Sequence, residues 1–165
     1  MEQTKKCTKC GKVKPLSKFG KHCRMKDGHT YRCKECISKY GKWYRYTPSG
    51  VYQAIKGRNK FYQGKPFEIT REEFVEWYNS QPKICVYCDL LESDLPYIDD
   101  SYNNKSLRMS IDAKNNDLGY IKGNIAICCH RCNSIKSDLL SFDEMREFAQ
   151  KYIKSKWEAQ LRRAI

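Results

Sequence analysis

The chain has 165 residues, with 32 Lys+Arg against 19 Asp+Glu for a formal net charge of +13, and ten cysteines. That length holds one domain of ordinary size, or two small ones whose cores need help from metal or disulfides. No run approaches the roughly 20 apolar residues of a membrane span, which excludes a membrane-spanning helix and any expected membrane partner.

The charge is unevenly placed. Residues 1–65 carry 18 Lys+Arg against 3 Asp+Glu, whereas residues 66–165 carry 14 against 16. Tyr31, Tyr40, Trp43, Tyr44, Tyr46 and Tyr52 are interleaved with the basic residues of the first stretch. A solvated charged face accounts for the charge but not for the aromatics, so nucleic-acid phosphate is the implied partner.

Four cysteine pairs have C-x2-C spacing: Cys7/Cys10, Cys33/Cys36, Cys85/Cys88 and Cys129/Cys132. Two intervening residues let a tight turn point both sulfurs at one ion, which suits tetrahedral Zn2+ held by thiolates. A disulfide framework is the alternative. The polar start Met-Glu-Gln-Thr-Lys-Lys, with no apolar export segment, favours zinc and a reducing compartment, cytoplasmic or nuclear rather than secreted.

Residues 1–46 form the first predicted unit, a four-cysteine finger. Cys7-Thr8-Lys9-Cys10-Gly11 is its knuckle and Cys33-Lys34-Glu35-Cys36 closes the site. Between the pairs, the turn signal Lys26-Asp27-Gly28-His29 predicts a short hairpin with Leu16, Phe19 and Tyr31 packed over the metal. Zinc is expected to supply most of its folding energy. His22, Cys23 and His29 are spare ligand types, read as surface or packing residues because two cysteine pairs already complete one tetrahedron.

Residues 47–65 read as a basic helical connector. Thr47-Pro48-Ser49 is a helix start, and Val51 to Phe61 carries Lys56, Arg58 and Lys60, although Gly57 and Gly64 argue against a long helix. Together with Lys39, Lys42, Trp43 and Arg45 these residues make up the expected nucleic-acid-binding set.

The second unit spans residues 66–165. Thr70-Arg71-Glu72-Glu73 is a capping box, and Phe74, Val75, Trp77 and Tyr78 give the helix after it an apolar face as far as Gln81-Pro82. Short strands are predicted at Met109–Asp112 and Asn124–Ile127, joined by the polar loop Lys114 to Tyr120. A short helix begins near His130 and carries Asn133 and Lys136 on successive turns. A second capping box, Ser141-Phe142-Asp143-Glu144, opens a longer helix whose Phe142, Met145, Phe148, Ala149, Tyr152, Ile153 and Trp157 recur at helical spacing as core. The predicted class is α+β, built from small zinc-stabilised domains.

The ordered set Cys85-Val86-Tyr87-Cys88, Ile111-Asp112, Gly119-Tyr120, Asn124 and Cys129-His130-Arg131-Cys132-Asn133-Ser134-Ile135-Lys136 resembles the HNH nuclease family over about residues 66–150. The N-terminal finger resembles the four-cysteine fingers that precede nuclease domains in phage and mobile-element proteins. The resemblance implies a ββα-metal finger clamped by a structural zinc on Cys85, Cys88, Cys129 and Cys132, with Cys128 a buried neighbour. It further implies that Asp112 and Asn133 bind one Mg2+ or Mn2+, oxygen-seeking ions that leave room for phosphate and water. Asn124 holds the loop through backbone hydrogen bonds. Arg131 and Lys136 are within sequence reach of phosphate, or lie on a solvated helix face.

One position departs from the family pattern. Ala113 stands where the general-base histidine is expected, and general bases are worth roughly 100- to 10,000-fold. Three accounts stay open at the level of sequence: an inactivating histidine-to-alanine substitution, which is favoured; divergence to a binding protein; and a displaced base, for which His130 is the candidate. The function implied is a metal-dependent endonuclease on double-stranded DNA, of phage or mobile-element type and catalytically impaired as written. It acts as a monomer that nicks or as a DNA-assembled dimer that makes double-strand breaks. The competing reading is a non-catalytic zinc-finger DNA-binding protein or regulator.

Overall fold

The computed structural model describes residues 3–60, 64–98 and 107–164. The chain divides into two compact units, residues 1–50 and 51–165. The division falls within a helix, Pro48–Arg58, at the place where a separate connector was expected. The expected extension of that helix to Phe61 lies outside the described residues.

The first unit is two hairpins and a helix. β1 (Thr4–Lys6) pairs antiparallel with β2 (Val13–Pro15), and β3 (Phe19–Lys21) with β4 (His29–Cys33). The Cys7–Cys10 knuckle is the turn of the first hairpin: the Cys7 N–H donates to the Lys12 carbonyl at 3.0 Å and the Gly11 N–H to the Cys7 carbonyl at 2.9 Å. α1 (Lys34–Tyr44) starts directly after Cys33 and brings Cys36 round on its first turn. The second hairpin is the one predicted from Lys26-Asp27-Gly28-His29, and the ammonium of Lys5 ties down its turn through Asp27 at 2.6 Å and the His29 carbonyl at 2.9 Å.

The apolar core of this unit is Cys7, Phe19 and Cys33, with Cys36 beside it. Phe19 is where the sequence placed it. Tyr31 is not: it is 58% exposed, its ring under the Lys5 ammonium at 5.2 Å.

The second unit is built on one larger core that joins α2 (Pro48–Arg58), α3 (Arg71–Ser80), a two-stranded sheet and the C-terminal helices. α3 begins at Thr70 with both arms of the predicted capping box, the Glu73 N–H donating to the Thr70 hydroxyl at 3.2 Å and the Thr70 N–H to the Glu73 carboxylate at 2.9 Å. It buries Phe74 and Tyr78. β5 (Ser110–Ala113) and β6 (Ile125–Cys128) pair antiparallel, with Asp112 opposite Ala126 and Ala113 opposite Ile125. Each lies one residue C-terminal to its predicted span. α4 (His130–Lys136) follows and packs across β5, completing a ββα finger.

The loop between the strands closes at Gly119, whose φ of +62° and close approach to the Pro66 carbonyl both exclude a side chain. The Tyr120 N–H donates to that carbonyl at 2.8 Å.

The C-terminal helix runs as α5 (Phe142–Phe148), a π-type stretch (Ala149–Ile153) and α6 (Lys154–Ala164). Met145, Ala149, Ile153 and Trp157 are buried, whereas Phe148 and Tyr152, predicted as core, are 38% and 49% exposed with their rings 5.0 Å apart. Their exposure follows from spacing. Buried residues recurring every four positions outrun a turn of 3.6 and drift round an α-helix, and the wider π turn cancels the drift, so the residues one position earlier are left facing out. Among the described residues no helix is long and apolar enough to cross a membrane.

Two sets of four sulfurs, Cys7/Cys10/Cys33/Cys36 and Cys85/Cys88/Cys129/Cys132, each lie within 4.8 Å of one another. Four thiolates so close repel unless a cation neutralises them, and the donor set fits structural zinc. The strain of sharing charge is visible in the first set: the N–H groups of Cys33 and Cys10 pull the Cys7 thiol down to about 6, while hydrogen bonding with Cys33 and burial push Cys36 up to about 12. Because the first unit buries one phenylalanine beside its sulfurs and the second buries a full core, chelation should unfold the units in that order. The expected result in two-dimensional amide NMR is loss of dispersed signals from residues 3–50 at chelator concentrations where β5 and β6 still give theirs.

Candidate metal centre

β5 is buried along its whole length, and its alternation sorts four side chains onto two faces. Ser110 and Asp112 face α4; Ile111 and Ala113 face the other way. One turn of α4 spans the same interval, so Asn133 meets Ser110 and Lys136 meets Asp112. The Asn133 amide donates to the Ser110 hydroxyl at 2.9 Å, which turns its carbonyl oxygen outward. Asp112 and Asn133 both line a polar cavity of about 430 Å³, together with Arg58, Lys65, Asn116, Tyr120, Ser134, Ser137 and Asp138. Two hard oxygen donors opening on such a cavity fit a magnesium-like ion that keeps most of its coordination for water and phosphate.

The Asp112 carboxylate is held from two sides. The Tyr87 hydroxyl donates to its Oδ2 at 2.5 Å, and the Lys136 ammonium stands 3.3 Å from the same oxygen while donating to the Ala113 carbonyl at 2.9 Å. Burial pushes the Asp112 carboxyl up from its usual value, and the Tyr87 hydrogen bond and the Lys136 charge work against that rise. Tyr87 itself is held well above the usual phenol value by burial first and the Asp112 charge second. A fully buried phenol in that state is a support for Asp112 and not a proton acceptor.

Lys136 corrects the sequence reading. It was expected at phosphate or on a solvated face, but it is fully buried, since an ammonium one turn beyond Asn133 finds a carboxylate and a carbonyl on β5. Arg131 is half-buried on the first turn of α4. Ala113 is 3% exposed and does not line the cavity.

Asn124 clamps the loop: its amide donates to the carbonyls of Asn115 at 2.8 Å and Gly119 at 2.7 Å, and its oxygen accepts from the Asn115 N–H at 3.0 Å.

The basic residues divide between the units. Lys39, Lys42 and Trp43 are exposed on α1, and Arg45, just past its end, donates to the Gly41 carbonyl at 3.2 Å. Lys56 and Arg58 are exposed on α2, followed by exposed Lys60; of these three, Arg58 lines the cavity. Lys65 was missed. Its ammonium reaches the Asn116 side-chain oxygen at 3.0 Å, and nothing local in the sequence distinguishes it from the lysines around it. Tyr87 was missed too, because a residue inside a C-x2-C knuckle reads as spacer.

The Cys85–Cys88 knuckle is joined to the finger by more than sulfur. The Val86 N–H donates to the Ile127 carbonyl at 2.9 Å, and the Cys129 sulfur caps α4 by accepting from the Cys132 N–H at 3.4 Å. Cys128 is buried beside them, its thiol raised by that burial, as expected of a neighbour outside the site.

No family model matches the chain, and no curated protein matches it. Among solved structures, the rare-cutting HNH restriction endonuclease PacI is similar, with 20% identity and a TM-score of 0.56 over 94% of this chain and 97% of that one. The likeness shows the fold that this chain shares with that structure.

The Asp112–Lys136 pair generates a stability prediction. Lys136→Ala leaves a buried carboxylate unpaired and should cost about 3–5 kcal/mol in urea unfolding. Asp112→Asn combined with Lys136→Met should recover most of that loss, and a double-mutant cycle without coupling would contradict the pairing.

Proposed function

We propose that the chain is a metal-dependent nuclease of HNH type acting on double-stranded DNA, with Asp112 and Asn133 as the protein ligands of a Mg2+ or Mn2+. The observation that carries this reading is that both side chains open on one polar cavity whose rim carries Arg58 and Lys65. Such an ion, when bound, would polarise the scissile phosphate and stabilise the leaving oxygen.

The protein's own groups do the rest. Tyr87 and Lys136 hold Asp112 through its Oδ2. Ser110 fixes Asn133. Arg58 and Lys65 supply positive charge for phosphate oxygens at the cavity mouth, and Asn124 keeps the loop that carries Asn116 in place. The basic first unit, with Lys39, Lys42, Trp43 and Arg45, supplies affinity that falls steeply with salt.

Position 113 provides no proton acceptor. Its buried methyl group, off the cavity, favours a second reading in which the chain as written binds DNA and cleaves it slowly or not at all.

Nicking of supercoiled plasmid with Mg2+ or Mn2+ separates the two. Under the nuclease reading Ala113→His raises the rate by roughly 100-fold or more, a gain that grows as pH rises through about 6.5 because an imidazole base acts only when neutral, whereas the buried place of residue 113 off the cavity predicts no gain under the second reading. Asp112→Asn should abolish cleavage in the same background. Absence of cleavage in every variant, together with no Mn2+ site by titration calorimetry, would leave the binding protein as the function.

A further inference from the structure

α1 buries none of its side chains, although it carries Tyr40, Trp43 and Tyr44 within one turn. Tyr40 and Trp43 are 51% and 61% exposed. The rings form one continuous cluster, with centroids 5.5 Å apart for Tyr40 and Trp43 and 5.9 Å for Tyr40 and Tyr44, the latter pair nearly parallel at 18°. Positions 40, 43 and 44 follow the i, i+3, i+4 rule for a shared helix face. Lys39 and Lys42 flank that face, and the Arg32 guanidinium lies 6.0 Å from the Tyr40 ring.

Charge selects the occupant. Residues 1–50 carry 14 Lys+Arg against 3 Asp+Glu, which repels a basic partner and another copy of this unit but attracts nucleic acid. Phosphate alone needs no aromatic rings. In an intact duplex the faces of the bases are covered by their neighbours, so exposed rings gain little from it. An unpaired base presents a free π face, and stacking on an aromatic side chain is the usual way such bases are held, whatever their identity.

We propose that the Tyr40–Trp43–Tyr44 face of α1 is a stacking platform for unpaired DNA bases, so that the protein prefers duplex containing a melted stretch over fully paired duplex. The proposal rests on the DNA reading above and narrows its substrate. Lys39 and Lys42 hold the backbone of the displaced strand, and Trp43, the most exposed ring of the three, takes the first base.

The test uses the full zinc-loaded chain and two labelled DNAs of one length, a paired duplex and the same duplex with a central run of mismatches, titrated by fluorescence anisotropy. The mismatched DNA should bind tighter by about 5-fold or more, the effect of one stacked base. Trp43→Ala and Tyr40→Ala should each erase that preference, bringing the mismatched DNA down to the affinity the variant has for paired duplex, with zinc content and far-UV circular dichroism unchanged. Lys39→Ala with Lys42→Ala should weaken both DNAs together.

Equal affinity for the two DNAs, or a preference that survives both aromatic substitutions, overturns the platform and leaves the DNA reading standing. Binding to neither DNA overturns both. A concentration-dependent dimer in sedimentation that Trp43→Ala abolishes also overturns the platform, since the face would then be a contact between copies.

Discussion

The meeting of Cys85, Cys88, Cys129 and Cys132 ties the helix that carries Asn133 and Lys136 to the knuckle that carries Tyr87. Cys129 ends the sheet and caps α4, and Cys132 lies on the first turn of that helix, so fixing their sulfurs fixes the rotation of α4 about its axis. Asn133 is the next residue and Lys136 is one turn further on. A helix of seven residues is too short to hold a phase by itself, and the sulfur cluster adds to the contacts of Asn133 with Ser110 and of Lys136 with Asp112 in setting it. An ion on these four sulfurs would act on Asn133 and Lys136 at one remove, through the geometry of α4.

The second constraint is electrostatic. Asp112 is a buried carboxylate that shares one oxygen between a phenol and an ammonium, an arrangement in which each partner offsets part of the cost of taking the charge out of water. With Lys136 already present, a divalent ion at the other oxygen adds positive charge to a site that is near neutral in its absence.

Much of this was legible in the sequence because it rests on short-range rules. Both capping boxes, the ββα order and the four cysteine pairs follow from spacing over a few residues, whereas the role of Asn124 came from the family resemblance. What escaped depended on contacts between distant segments. Tyr87 looked like knuckle spacer until β5 was laid against it, and Lys65 acquires meaning only beside Asn116, 51 positions later. Lys136 was misplaced because charge in sequence argues for solvent, and only the fold reveals a carboxylate waiting inside. Phe148 and Tyr152 failed for a different reason: helical periodicity assumes a constant turn, and this helix changes its turn midway.

That change of turn has its own consequence. The π stretch sets Gln150 so that its amide reaches the Tyr87 carbonyl at 2.8 Å and the Asp89 carboxylate at 3.0 Å, and Lys154 meets the same carboxylate at 2.6 Å. The knuckle that supports Asp112 is therefore gripped from behind by a helix whose register is set to a single residue. Rewinding Ala149–Ile153 at ordinary α pitch with no residue removed would turn everything after it about the helix axis, carrying Lys154 away from Asp89 and Trp157 out of the core. The wide turn works as a vernier between the C-terminal helix and the knuckle, holding one residue more than an α turn while it keeps the following helix in phase.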